Sequence, residues 1–122
     1  MSSVFEESHK RLLVWQKAVE LVTLTYRLTA AFPEAEQFGL AMQMRRAAVS
    51  IASNIAEGAA RRSRKEKAQF FVHARGSLSE LDTQLIISEA LGLCSREAKH
   101  DMTGHLGDVG RLLNGLIASQ RA

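Results

Sequence analysis

Read at 100° per residue, apolar side chains recur at intervals of three and four along almost the whole chain, and four stretches carry the pattern. The spacing predicts helices over about 8–31, 35–57, 63–91 and 95–119. In the first, Leu12, Trp15, Ala18, Val19, Val22 and Tyr26 form one stripe, and Val14, Leu21, Leu24 and Leu28 fall nearly opposite. Only Gln16, Glu20, Thr23 and Arg27 make a consistently polar strip. A helix this apolar around its circumference is buried on more than one side, and a four-helix monomer has few interior helices, so the pattern predicts self-association. The second helix repeats the theme. Leu40, Met44, Ala47, Ala48, Ile51 and Ile55 form its core stripe, Phe38, Met42, Val49 and Ala56 a second one, and Gln43, Arg46, Ser50, Asn54 and Glu57 a polar seam between them. The expected oligomer interface therefore comprises Val14, Leu21, Leu24, Leu28, Phe38, Met42 and Val49.

Local signals set the helix limits. Phe32-Pro33 ends the first helix, because proline disfavours helical geometry in the residue before it. Glu34 and Glu36 suit the positive end of the second helix, and Gly58 is a candidate for its C-terminal cap. Ser63-x-x-Glu66 has the form of a capping box at the start of the third. Its core stripe is Phe70, Phe71, Ala74, Leu78, Leu81 and Leu85, with Val72, Ile86 and Ile87 offset toward another surface. Gly92 is a second cap candidate, and Ser95 with Glu97 starts the fourth helix. That helix carries a single stripe of Ala98, Met102, Leu106, Val109, Leu112, Leu113 and Leu116. Its four glycines cost on the order of 1 kcal/mol each relative to alanine, which makes it the least stable expected element. Short connections between such helices predict an all-α, antiparallel up-down-up-down four-helix bundle as a single domain.

Composition narrows the chemistry. The 122 residues include one proline and one cysteine, so no intrachain disulfide forms and a reducing compartment is expected. The N-terminus is acidic where a signal peptide is basic, and no apolar run approaches the roughly 20 residues of a membrane span. A soluble, cytoplasmic protein is expected. Its net charge of +3 is concentrated: from Arg61 to Lys67 five basic residues and one acidic one give +4, leaving −1 elsewhere.

The seam is open to a catalytic reading, but Ser50 has no histidine at useful helical spacing to act as a base. The structural alternative pairs the seam with Ser77 and Glu80 of the third helix, through Arg46 with Glu80 or Arg46 with Glu57 of a neighbouring subunit. His100 and His105 are badly spaced for joint ligation, and His9 and His73 stand alone. No metal, cofactor or enzymatic activity is expected. Arg61, Arg62, Arg64, Lys65 and Lys67 point outward instead. Repeated around a cyclic assembly, they would form a basic ring suited to the RNA or DNA backbone, with binding that tolerates sequence and depends on salt. The alternative is a structural or protein-interaction scaffold that docks a protein partner and has no nucleic-acid role.

Several motifs carry a resemblance. They are Trp15-Gln16-Lys17-Ala18, Phe32-Pro33-x-x-Glu36, Phe38-Gly39-Leu40, and Gln43-x-x-Arg46-Ala47-Ala48-x-Ser50-Ile51-x-x-Asn54-Ile55-Ala56-Glu57-Gly58. The third helix adds Ala74-x-Gly76-Ser77-Leu78-x-Glu80-Leu81. Together they span about residues 12–117 and resemble the 23S rRNA intervening-sequence family, which is similar in turn to the accessory variability protein of diversity-generating retroelements. The resemblance implies a homopentameric, barrel-like assembly of four-helix bundles with a basic surface and no established enzyme activity. The retroelement relatives bind nucleic acid and a reverse transcriptase. Ala52 stands where many relatives have proline, which implies a straighter second helix, and Ala59-Ala60 departs from the aromatic or glycine often found there.

Overall fold

A computed structural model describes residues 12–121, and all regular structure among them is helical. Four long helices, α1 (Leu13–Ala30), α3 (Leu40–Ala59), α4 (Arg64–Ala90) and α5 (Arg96–Arg121), are joined by short connections, with a single turn, α2 (Glu34–Gln37), between the first two. The expected beginning of the first helix, 8–11, and His9 lie outside the described residues. Helix α3 packs between α1 and α4, and α5 closes the arrangement by touching both α4 and α1.

The core is the shared interior of these four helices. Ile51, Ile55, Phe71, Leu81, Leu85, Val109 and Leu113 are almost wholly removed from solvent, each of the large side chains contributing about 1.5–3 kcal/mol of burial. The α3 and α4 stripes match their expected core faces, with Leu40 and Phe70 only half-buried. Met44 meets Ser88 (Sδ–Oγ 3.3 Å), and Ser50 meets Ser77 (2.9 Å). Ser88 also donates to the Gln84 carbonyl at 2.8 Å, so its hydroxyl is satisfied in the core. Gln84 Oε1 is the one buried side-chain oxygen or nitrogen left without a partner among the described residues.

Helix α1 departs from its expected orientation. Val14 and Leu21, assigned to the oligomer interface, are buried in the bundle, whereas Val19 and Tyr26 of the expected core stripe are exposed. The reason lies one turn further on. Thr25 and Thr29 are fully buried, their hydroxyls donating to the carbonyls of Leu21 and Thr25 at 2.8 Å. With each hydroxyl proton donated inside the helix, the threonine methyls pack into the core like apolar side chains, and Thr29 Oγ1 is left free to accept from Arg45.

The expected second helix, 35–57, is interrupted. After α2 the backbone of Gly39 leaves helical geometry (φ −103°, ψ −112°), at a residue with low helix propensity. The Gln37 amide donates to Thr29 O (3.0 Å) and Phe32 O (2.9 Å), tying the turn to the end of α1. Arg45 completes this junction by donating to Thr29 Oγ1 (2.8 Å) and Gln37 Oε1 (3.1 Å), with its guanidinium 5.1 Å from the Tyr26 ring centre.

The caps divide similarly. Ser63 Oγ accepts from Glu66 N (3.1 Å), and Ser95 Oγ from Ala98 N (3.0 Å), as the sequence predicts. At the end of α4, Leu93 N donates to Ser88 O and Gly92 N to Glu89 O, with Gly92 at φ +72°, a Schellman closure that needs glycine. Gly58 is not a cap. Helix α3 runs past it to Ala59, and Gly58 is buried against Phe71.

Candidate nucleic-acid interface

The turn between α3 and α4 gathers the basic residues at one end of the bundle. Arg61, Arg62, Arg64 and Lys65 are exposed and Lys67 is half-buried. Their local roles differ. Arg61 donates to Glu57 Oε2 at 2.9 Å and lies over the Phe70 ring, 4.6 Å from its centre. The ion pair is exposed and worth little, but the stack orients the guanidinium. Lys67 Nζ donates to Ala59 O (3.1 Å), closing one of the free carbonyls at the end of α3. Arg62 and Lys65 make no hydrogen bond or ion pair among the described residues.

This placement works against the stability of α4. Arg64 and Lys65 occupy its first turn, where Glu66 is the only acidic residue. The positive end of a helix disfavours cations there by about 0.3–1 kcal/mol each. An anion resting on this end would relieve the repulsion.

Packing of α5 beside α4 adds to the patch. A cleft of about 480 Å³ is lined by Arg64, Lys65, Ala68, Gln69, Val72, His73, Gln120 and Arg121. Its α5 residues were missed from the sequence because the helix was expected to end at 119. His73 packs edge-on to Phe70, with ring centres 6.1 Å apart.

The polar seam is brought together only at its middle. Ser50 and Ser77 share a hydrogen bond, and Asn54 Nδ2 donates to Ser50 O (2.9 Å) and Ser50 Oγ (3.0 Å). Gln43, Arg46, Glu57 and Glu80 are exposed. The intrachain Arg46–Glu80 pair does not form: Glu80 accepts from Gln84 (3.2 Å), and Glu57 is taken by Arg61. The junction arginine is Arg45, one residue earlier. The Ser50–Ser77 hydrogen bond ties α3 to α4.

Beside the seam, a groove of about 710 Å³ is lined by Tyr26, Gln37, Phe38, Met42, Arg45, Arg46, Val49 and Ser50. Phe38 is 84% exposed, Tyr26 48% and Val49 42%. Of the residues assigned to the oligomer interface, Phe38, Met42 and Val49 thus share an accessible face, to which Tyr26 is an addition. Leu24 and Leu28 are half-buried against the core.

The 23S rRNA-intervening sequence protein family matches residues 10–115. The chain belongs to this family. No curated protein matches it. Among solved structures, the chain is similar to a protein of unknown function from the S23 ribosomal protein family of Bacteroides thetaiotaomicron. The two share 20% identity over 87% of this chain and 96% of the other, with a TM-score of 0.81, a likeness that carries the fold.

Other chemistry in this family member is sparse. No group of three or more metal-ligating side chains occurs among the described residues, and no described helix is long and apolar enough to cross a membrane. Burial pushes the Cys94 thiol above its ordinary range; the Glu89 carboxylate adds to the shift and Lys99 opposes it. A thiol held protonated in this way is a poor nucleophile at neutral pH.

Proposed function

We propose that the chain is an antiparallel up-down-up-down four-helix bundle that assembles as a homopentamer in the cytoplasm. It binds the RNA or DNA backbone, without enzymatic activity, through the repeated ends carrying Arg61, Arg62, Arg64, Lys65 and Lys67. The observation that carries this reading is the placement of Arg64 and Lys65 on the first turn of α4, beside exposed Arg62, where cations reduce helix stability. Such a cost is consistent with selection for an anionic ligand. The face formed by Tyr26, Phe38, Met42 and Val49 supports assembly, because large apolar side chains gathered on one accessible groove favour burial against another surface. The resemblance to retroelement accessory proteins points in the same direction. The same apolar face also supports a second reading, a scaffold that docks a protein partner and has no nucleic-acid role.

The test is fluorescence anisotropy with labelled single-stranded and duplex RNA and DNA across a salt series, with the particle mass taken by light scattering in the same buffers. A particle near five chains is expected. For four phosphates engaged on a single strand, log affinity falls against log salt with a slope of about −3. Replacing Arg61, Arg62, Arg64 and Lys65 with glutamine removes the binding, while Lys67 is spared because it closes α3. Unchanged retention by that variant would refute the basic end, and a pentamer that binds no nucleic acid would leave the scaffold reading.

A further inference from the structure

The cleft between the first turns of α4 and the last turn of α5 has the lining of a nucleotide site as well as the charge of a phosphate site. Lys65 and Arg121 line it from different helices, together with Arg64, His73, Gln69 and Gln120. None of the described residues that line it carries a side-chain carboxylate. Ala68, buried, and Val72, half-buried, supply an apolar floor. Its volume of about 480 Å³ lies within the range of small-molecule sites and far exceeds the space of a single ion.

We propose that this cleft seats one nucleotide of a single strand. Its phosphate lies between Lys65 and Arg121, His73, Gln69 and Gln120 donate hydrogen bonds, and the sugar and base rest on Ala68 and Val72. The inference rests on the basic end being a nucleic-acid surface, and it goes further by naming the strand state. A duplex keeps its bases stacked inside and presents only phosphates, so it cannot place a base on the apolar floor, whereas an unpaired strand can. Arg61 and Arg62 flank α4 on the loop side and would carry the backbone toward the cleft. The protein should therefore prefer single strands, and the preference should depend on residues outside the basic loop.

The experiment compares the full chain with a His73→Ala/Arg121→Gln variant in anisotropy titrations at one low salt concentration. The ligands are a labelled single strand of about 12 nucleotides and a duplex of the same length. Arg27→Gln, which removes one charge far from the cleft, is the control. Both cleft side chains are exposed, so the fold is expected to survive, and far-UV circular dichroism checks it. Loss of the charged and polar donors should lower single-strand affinity about tenfold or more, and duplex affinity should stay within about twofold of the Arg27→Gln control. Equal losses on both ligands, or no loss on the single strand, would overturn the nucleotide site while leaving the basic end intact. Parent protein that binds neither ligand would overturn both.

Discussion

Gly58 lies in the last turn of α3, where the ring of Phe71 packs directly on its Cα face. In an open helix, alanine in place of glycine stabilises by up to about 1 kcal/mol. Here the new Cβ would fall 2.6 Å from Phe71 Cε1, 2.8 Å from Cδ1 and 3.1 Å from Phe70 Cβ. Carbon atoms are comfortable at about 3.5–4.0 Å, so the overlap with the ring approaches 1 Å. Phe71 is 2% exposed and has no room to swing away. Forcing a methyl into a filled core costs typically about 1–3 kcal/mol, so the helix gain is outweighed and a net loss near 1 kcal/mol is expected for Gly58→Ala. For a chain of this size that is roughly 3–5 °C in Tm. Gly104, with nothing within 4 Å of its would-be Cβ, is the matched control, and Gly104→Ala should raise the midpoint. Thermal melts followed by circular dichroism at one protein concentration decide the question, since the midpoint of an assembly moves with concentration. If Gly58→Ala melts as high as Gly104→Ala, the packing argument is refuted.

Lys65→Glu should separate stability from binding. It places a carboxylate on the first turn of α4 and should raise stability by about 0.3–1 kcal/mol, while anisotropy shows weaker binding to nucleic acid. A variant that is both less stable and unimpaired in binding would contradict the view that Lys65 is kept for a ligand. Val49→Asp, at an exposed position on the α1–α3 face, should leave helix content intact and reduce the particle mass in light scattering. An intact assembly would exclude that face as the contact.

The sequence made the helices and most caps legible because both are local. Ser63 with Glu66, Gly92 and Ser95 work through neighbours within a few residues, and Ile51, Ile55, Leu81 and Leu85 announce their core face by spacing. What failed was orientation. Two apolar stripes on α1 revealed two faces without saying which turned inward, and Thr25 and Thr29 belonged to neither stripe, although each donates its hydroxyl proton to its own helix and is buried. Gly58 read as a terminator because its function depends on a ring carried by α4. Arg45 and Arg46 are equivalent as letters; only the docking of α2 against α1 makes Arg45 the joining residue. The basic loop was plain in the sequence, but the cleft beside it needs Arg121, brought from the far end of the chain by packing.

The unequal packing of the helix pairs has a kinetic consequence. The α3–α4 contact is the most extensive, the α4–α5 contact follows, and both join helices separated only by short turns. Contacts between sequence neighbours lose little loop-closure entropy and form early. The α1–α5 contact spans almost the entire chain and is the least extensive of the four long-helix pairs. Closure of the ring is therefore expected to come last on folding and to open first on unfolding. The helices at that seam are α1 and α5, so the element that contributes Tyr26 to the apolar face takes part in the contact that opens first.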